Sequence, residues 1–161
     1  LTFIRSRFGW ILLICFFAAV VTISLVFNYY LFLQAKAYYL ELSAARLDPL
    51  GFDAFPADVA HSELPRVVFF GDSRAAAWPA PSGQFQVINR GIGGQTTAQV
   101  ALRFDEHIAP LQPQILIVQV GVNDLKTIPL FPERKNSIIA NSKANIDSIV
   151  QQARDLGIIV I

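Results

Sequence analysis

Apolar positions along the 161-residue chain follow two different patterns. From Phe8 to Ala35 no residue is charged, and Trp10 to Phe27 is almost entirely aliphatic or aromatic. At 1.5 Å of rise per residue, a helix over this run is long enough to cross about 30 Å of hydrocarbon, which predicts one transmembrane helix. Arg5 and Arg7 precede it, so the positive-inside rule puts the N-terminus in the cytoplasm and the chain after Lys36 outside. Trp10 at one end and Tyr29, Tyr30, Tyr38 and Tyr39 at the other suit the two membrane interfaces. Gln34 to Arg46 consists of good helix formers and extends the helix outward as a stalk. The competing reading is a cleaved signal peptide, because Ala35-Lys36-Ala37 has the small-x-small form and release would fall near Ala37. The apolar run is longer than the roughly 7 to 15 residues of a signal h-region, which favours a retained anchor. Either reading exports the rest of the chain.

The second pattern is an alternation of short and long periods. Leu47 to Pro65, with Pro49, Gly51, Pro56 and Pro65 and little periodicity, reads as a linker. Four short apolar runs come after it, Val67 to Phe70, Phe85 to Asn89, Ile115 to Val120 and Ile158 to Ile161, rich in the β-branched and aromatic residues that suit strands. Between the second and third runs, Val100, Phe104 and Ile108 recur at helical spacing behind a capping-box signature, Thr96-Thr97-Ala98-Gln99. Between the third and fourth, Glu133 to Leu156 sets Ile139, Ile146, Ile149, Val150, Ala153 and Leu156 on one helical face, and Gly157 ends it. Strands separated by helices imply right-handed crossovers, hence an α/β three-layer sandwich with a mainly parallel sheet. Residues 1–46 then form an anchor and stalk, 47–65 a linker and 66–161 the globular domain. The chain starts at Leu1 and ends on an apolar strand of the kind that crossover helices cover, so further sequence is expected on both sides.

Composition narrows the partners. Hydrophobic residues make up 53% of the chain, and the excess sits in the N-terminal run. Thirteen basic and twelve acidic residues give a net charge of +1 with no basic cluster to track a phosphate backbone, which argues against a nucleic-acid partner. The single cysteine, Cys15, lies inside the apolar run, so there is no internal disulfide and no cysteine-based zinc site. Ile14 stands before it where a lipidated cysteine would have a small residue, and packing in the membrane is the simpler use.

In a parallel sheet, function collects in the loops that leave the carboxyl ends of the strands. The first strand runs into Gly71-Asp72-Ser73, the second into Asn89-Arg90-Gly91-Ile92-Gly93-Gly94-Gln95-Thr96-Thr97 and the third into Gly121-Val122-Asn123-Asp124. Each alone is an ordinary turn sequence. Together they bring a serine on a tight turn, a glycine-rich loop with bare N–H groups at a helix start, and a carboxamide donor to one edge, the parts that acyl transfer requires. The glycine loop is not a nucleotide fingerprint, since it lacks G-x-G-x-x-G spacing and no Gly-Lys-Ser/Thr comes after it.

These three ordered blocks resemble the SGNH (GDSL) hydrolase superfamily, and VINRGIGGQTTAQVALRF is similar to the catalytic subunits of platelet-activating-factor acetylhydrolase and related bacterial esterases. The resemblance covers Arg66 to Ile161 and implies a flavodoxin-like fold. It also implies that Ser73 is the nucleophile and that its N–H, the N–H of Gly94 and the Asn123 side chain form the oxyanion hole. No metal or cofactor is expected. Arg74 stands where the family commonly has Leu or Ile after the serine, and the Asp-x-x-His block that succeeds the third block in the family is absent. His107 falls well into the helix after the glycine loop, and His61 precedes the first strand. Both are therefore expected toward the edge opposite Ser73, as surface or packing residues. The implied activity is an exported, membrane-tethered serine esterase acting on small-molecule or polymer esters of lipids or glycans, its histidine and aspartate supplied downstream. Two alternatives use the same site: an O-acyltransferase, and a non-catalytic glycan-binding module.

Overall fold

The computed structural model describes residues 2–44, 55, 59, 62–81 and 83–161. The chain divides into two compact units, Leu1–Tyr39 and Leu40–Ile161.

The apolar run lies in one helix, α1 (Thr2–Ala44), whose stretch Gly9–Leu42 is long and apolar enough to cross a membrane. Its apolar side chains from Trp10 to Leu33 are exposed all round, Trp10 by 63%, Ile23 by 69% and Val26 by 65%, the pattern of a helix suited to apolar surroundings. The polar side chains of the run bond back onto the helix: Thr22 Oγ1 donates to the Ala18 carbonyl and Asn28 Nδ2 to the Ser24 carbonyl, each at 2.8 Å. Internal satisfaction of this kind is what a hydrocarbon medium demands, because it offers no partner of its own.

The second unit carries a four-stranded sheet, β1 (Arg66–Gly71), β2 (Gln86–Gly91), β3 (Ile115–Gln119) and β4 (Ile159–Val160), in the order β2-β1-β3-β4 with every pairing parallel. The predicted α/β class and parallel sheet are thus observed. Strand β1 is central, and its hydrophobic run is buried on both faces, with Val67, Val68, Phe69 and Phe70 each at 5% exposure or less. Val68 and Phe70 join Leu116 on the face that packs against Val100, Phe104, Ile108, Ile149 and Ala153. Burial of side chains of this size is worth about 1.5 to 3 kcal/mol each.

Two expectations about helices need correction. The helix predicted through Val100, Phe104 and Ile108 is two short helices, α3 (Thr97–Leu102) and α4 (Phe104–His107), broken at Arg103 and succeeded by a 3-10 turn at Ala109–Leu111. The three apolar residues are still buried, so their spacing recorded burial rather than helical continuity. The last helix, α6 (Lys135–Asp155), buries Ile149 and Ala153, but Leu156 is its C-cap and is 55% exposed. Gly157, at φ 74°, closes α6 as expected, with its N–H on the Arg154 carbonyl and that of Ile158 on the Ala153 carbonyl, both at 2.9 Å. Two single-turn helices complete the unit at the carboxyl edge, α2 (Ser73–Ala76) and α5 (Val122–Leu125).

Candidate functional site

Strand order brings the three loops together. Because β1 lies between β2 and β3, the Gly71-Asp72-Ser73 turn emerges between the glycine loop and the Gly121–Asp124 turn. The junction is tight. A Cβ on Gly71 would lie 1.9 Å from the Gln119 carbonyl oxygen, and Gly71 also adopts φ 152°, so no other residue fits here without displacing β3. A Cβ on Gly91 would lie 2.1 Å from the Ala76 backbone nitrogen, so glycine at the end of β2 is what lets α2 sit against that strand.

Ser73 is exposed and opens α2, one residue past the buried Asp72, whose carboxylate caps the turn by accepting from the Arg74 N–H at 2.9 Å. The Arg74 guanidinium folds back to the same carboxylate at 3.4 Å while staying largely in water, a contact of small energetic weight. Asn89 holds the other end of the turn: its Nδ2 donates to the Ala75 carbonyl at 2.8 Å and its Oδ1 accepts from the Gly91 N–H at 2.9 Å. Gly93 faces the Ser73 turn, with an added Cβ 3.9 Å from the Ser73 Cβ, and Gly94 is next at φ 83°, exposed.

Asn123 is buried at 6% exposure. Its Nδ2 donates to the Gln95 carbonyl at 2.8 Å and its Oδ1 accepts from Lys126 Nζ at 2.7 Å, so the amide is oriented from both ends. Asp124 ties the same turn to the glycine loop, accepting from the Thr97 N–H at 2.9 Å and the Thr97 hydroxyl at 2.7 Å, and Asn145 Nδ2 donates to that hydroxyl at 3.1 Å. The predicted capping box is present, with the Thr96 N–H donating to Gln99 Oε1 at 2.9 Å.

The sequence alone assigned no role to Asn89, Gln95, Arg103, Asp124 or Lys126. Asp124 beside Asn123 and the Asn89 that ends a strand were available signals. Arg103 and Gln95 were not: they bond each other, and each also bonds an element far away in the chain, Gly71 on β1 and Asn123 on α5. Arg103 is 1% exposed; its Nε donates to Gln95 Oε1 at 2.7 Å and its Nη2 to the Gly71 carbonyl at 3.0 Å, with the guanidinium 4.6 Å from the centre of the Phe70 ring. Arg103 Nη1 lies 3.0 Å from His107 Nδ1. Arginine only donates, so this histidine nitrogen accepts and the ring carries its proton on Nε2.

His107 is a packing residue, buried at 4% exposure and set edge-on to the Phe55 ring at 5.5 Å, but it does not lie toward the opposite edge as expected: the Arg103 guanidinium bridges it to the Gly71 carbonyl that leads into the Ser73 turn. Arg90 lies over the same Phe55 ring at 4.8 Å, and burial lowers its pKa from the ordinary arginine value. His61 falls outside the described residues. Asp58-Val59-Ala60-His61 has Asp-x-x-His spacing but precedes β1; of these only Val59 is described, and it packs against the core.

A parallel α/β sheet with a serine turn, a glycine loop and a buried asparagine on successive strand ends defines the class, an SGNH-type fold. Residues 67–161 match the GDSL-like Lipase/Acylhydrolase family, and the chain belongs to that family. Among curated proteins it is similar to the uncharacterized lipoprotein YqeF of Bacillus subtilis (strain 168), 28% identical over 110 residues, which cover 57% of this chain and 44% of that protein. Among solved structures it resembles the acetyl xylan esterase AlAXEase, with a TM-score of 0.50 at 22% identity over 60% of this chain and 56% of that one. AlinE4, an SGNH-hydrolase family esterase, gives a TM-score of 0.48 at 24% identity over 63% and 59% of the two chains. The likeness to AlAXEase is one of fold. The chain spans about half the length of the relatives it matches.

Proposed function

We propose that the chain carries the nucleophile and oxyanion hole of an exported, membrane-tethered serine ester hydrolase, with residues 1–46 as anchor and stalk, 47–65 as linker and 66–161 as the first part of the hydrolase domain. The observation that carries this reading is the join at the head of β1. There the Ile92 N–H donates to the Gly71 carbonyl and the Asp72 N–H to the Gln119 carbonyl, both at 3.0 Å, tying the Ser73 turn to both neighbouring loops. Ser73 Oγ attacks the ester carbonyl and the alkoxide oxygen of the tetrahedral intermediate takes hydrogen bonds from the Ser73 N–H, the Gly94 N–H and Asn123 Nδ2. Collapse expels the alcohol and leaves an acyl-serine that water cleaves. Because His107 is engaged by Arg103 and Phe55, the Ser73 proton is taken by a histidine of the family's Asp-x-x-His block, beyond residues 1–161, and handed to the departing alcohol oxygen. Substrates are esters of lipids or glycans outside the cytoplasm, a location supported by the apolar α1 and by the likeness to a lipoprotein.

A fluorophosphonate probe tests this reading. The full-length protein is expected to be labelled at Ser73, mapped by peptide mass, and Ser73→Ala not at all; residues 1–161 alone should react far more slowly. Labelling at another residue would overturn the nucleophile. Equal labelling of the short and full-length proteins would assign the base to His61 or His107.

A further inference from the structure

The guanidinium of Arg103 joins the two halves of the candidate site. The peptide between Gly71 and Asp72 leads into the serine turn, and because a peptide is planar its orientation sets the course of the next residues. Its N–H is held by the Gln119 carbonyl, and its carbonyl accepts from both the Ile92 N–H and Arg103 Nη2, each at 3.0 Å. A second arm of the same guanidinium, Nε, holds the side chain of Gln95 at 2.7 Å, the residue directly after Gly94. The main-chain carbonyl of Gln95 in turn accepts from Asn123 Nδ2 at 2.8 Å. A planar fork of fixed geometry therefore spans the turn that carries Ser73 and the loop that carries Gly94 and orients Asn123. The break between α3 and α4 falls at Arg103, which caps both helices, and the side chain is fully enclosed.

Resting on the ester-hydrolase reading, we infer that Arg103 is a positioning residue which sets the spacing between the nucleophile and the oxyanion donors. Lysine has the charge but not the fork, and cannot hold the Gly71 carbonyl and the Gln95 amide oxygen in the same fixed plane. Misplacement of reacting groups by about 1 Å can cost on the order of 10²-fold, which sets the scale expected.

The experiment uses the full-length protein and 4-nitrophenyl acetate. Arg103→Lys should lower kcat by roughly 10- to 100-fold with KM nearly unchanged, at a temperature well below its midpoint of unfolding. In an Asn123→Ala background the same change should cost much less, because the geometry it maintains is already lost. If Arg103→Lys does not fold, Gln95→Met, which removes one arm's acceptor and keeps the main-chain carbonyl, decides the matter with the same expected pattern. A folded variant with unchanged kcat, or losses that add fully with those of Asn123→Ala, would overturn the positioning role while Ser73→Ala stays inactive. Wild-type hydrolysis by Ser73→Ala would instead overturn the esterase reading, and this inference with it.

Discussion

Helix α1 and the α/β unit distribute polarity in opposite senses. Between Trp10 and Leu33 of α1 the apolar side chains face outward, while Thr22 and Asn28 turn in to the helix's own carbonyls. In the α/β unit, Asp72, Arg103, Thr97 and Asn123 are all buried, and each is paired with groups from a different loop or strand or from its own turn. The first arrangement suits surroundings that are apolar and needs no tertiary partner. The second is stable only if every buried polar group finds its partner, because an unmade bond there costs about 1 to 3 kcal/mol. A substitution should therefore act locally in α1 and propagate between loops in the site.

The largest effect expected is at Asn123. In the proposed mechanism Asn123 is an oxyanion donor, and removing one costs on the order of 10² to 10³ in turnover, so Asn123→Ala in the full-length protein should lose about that much kcat, with circular dichroism unchanged. Turnover equal to wild type would reduce Asn123 to a loop-shaping residue and erase the contrast between the two regions.

A charge in the middle of α1 tests the other side. Val20→Arg should cost about 2.5 to 3.5 kcal/mol of membrane insertion, read as the fraction of a reporter fused after Arg46 that is exported and membrane-bound. Esterase activity of the released domain should not change. An exported, membrane-bound fraction equal to wild type would show that integration does not depend on apolarity at Val20 and would erase the contrast from this side.

The smallest effect is expected at Lys126, whose ammonium donates to Asn123 Oδ1 at 2.7 Å from an exposed position. An exposed contact of this kind is worth roughly 1 kcal/mol or less, so Lys126→Met should lower kcat by about two- to fivefold without moving the unfolding midpoint. A loss as large as that of Asn123→Ala would mean that the ammonium itself meets the substrate.

Local patterns carried much of this fold. The uncharged run before Ala35 specified a long helix because apolarity over that length needs no knowledge of a partner, and the β-branched runs specified four strands because a buried parallel strand is apolar on both faces. Gly71-Asp72-Ser73 and Gly121-Val122-Asn123 could be singled out because their residue types serve turns and chemistry alike, and Thr96 to Gln99 because a capping box is complete within four residues. What lay between them was not legible. The spacing of Val100, Phe104 and Ile108 reports that one face is buried, and it is equally satisfied by one helix or by two broken at Arg103. Arg103 itself reads as an ordinary surface residue in the chain. Only tertiary structure made it a buried fork between Gly71 and Gln95, because the Gly71 carbonyl lies 32 positions away on β1 and Gln95 is brought back to it by the break between α3 and α4. Buried hydrogen bonds of this kind are chosen by proximity in space, and proximity across strands is settled by the order of the sheet, which no local stretch of residues encodes.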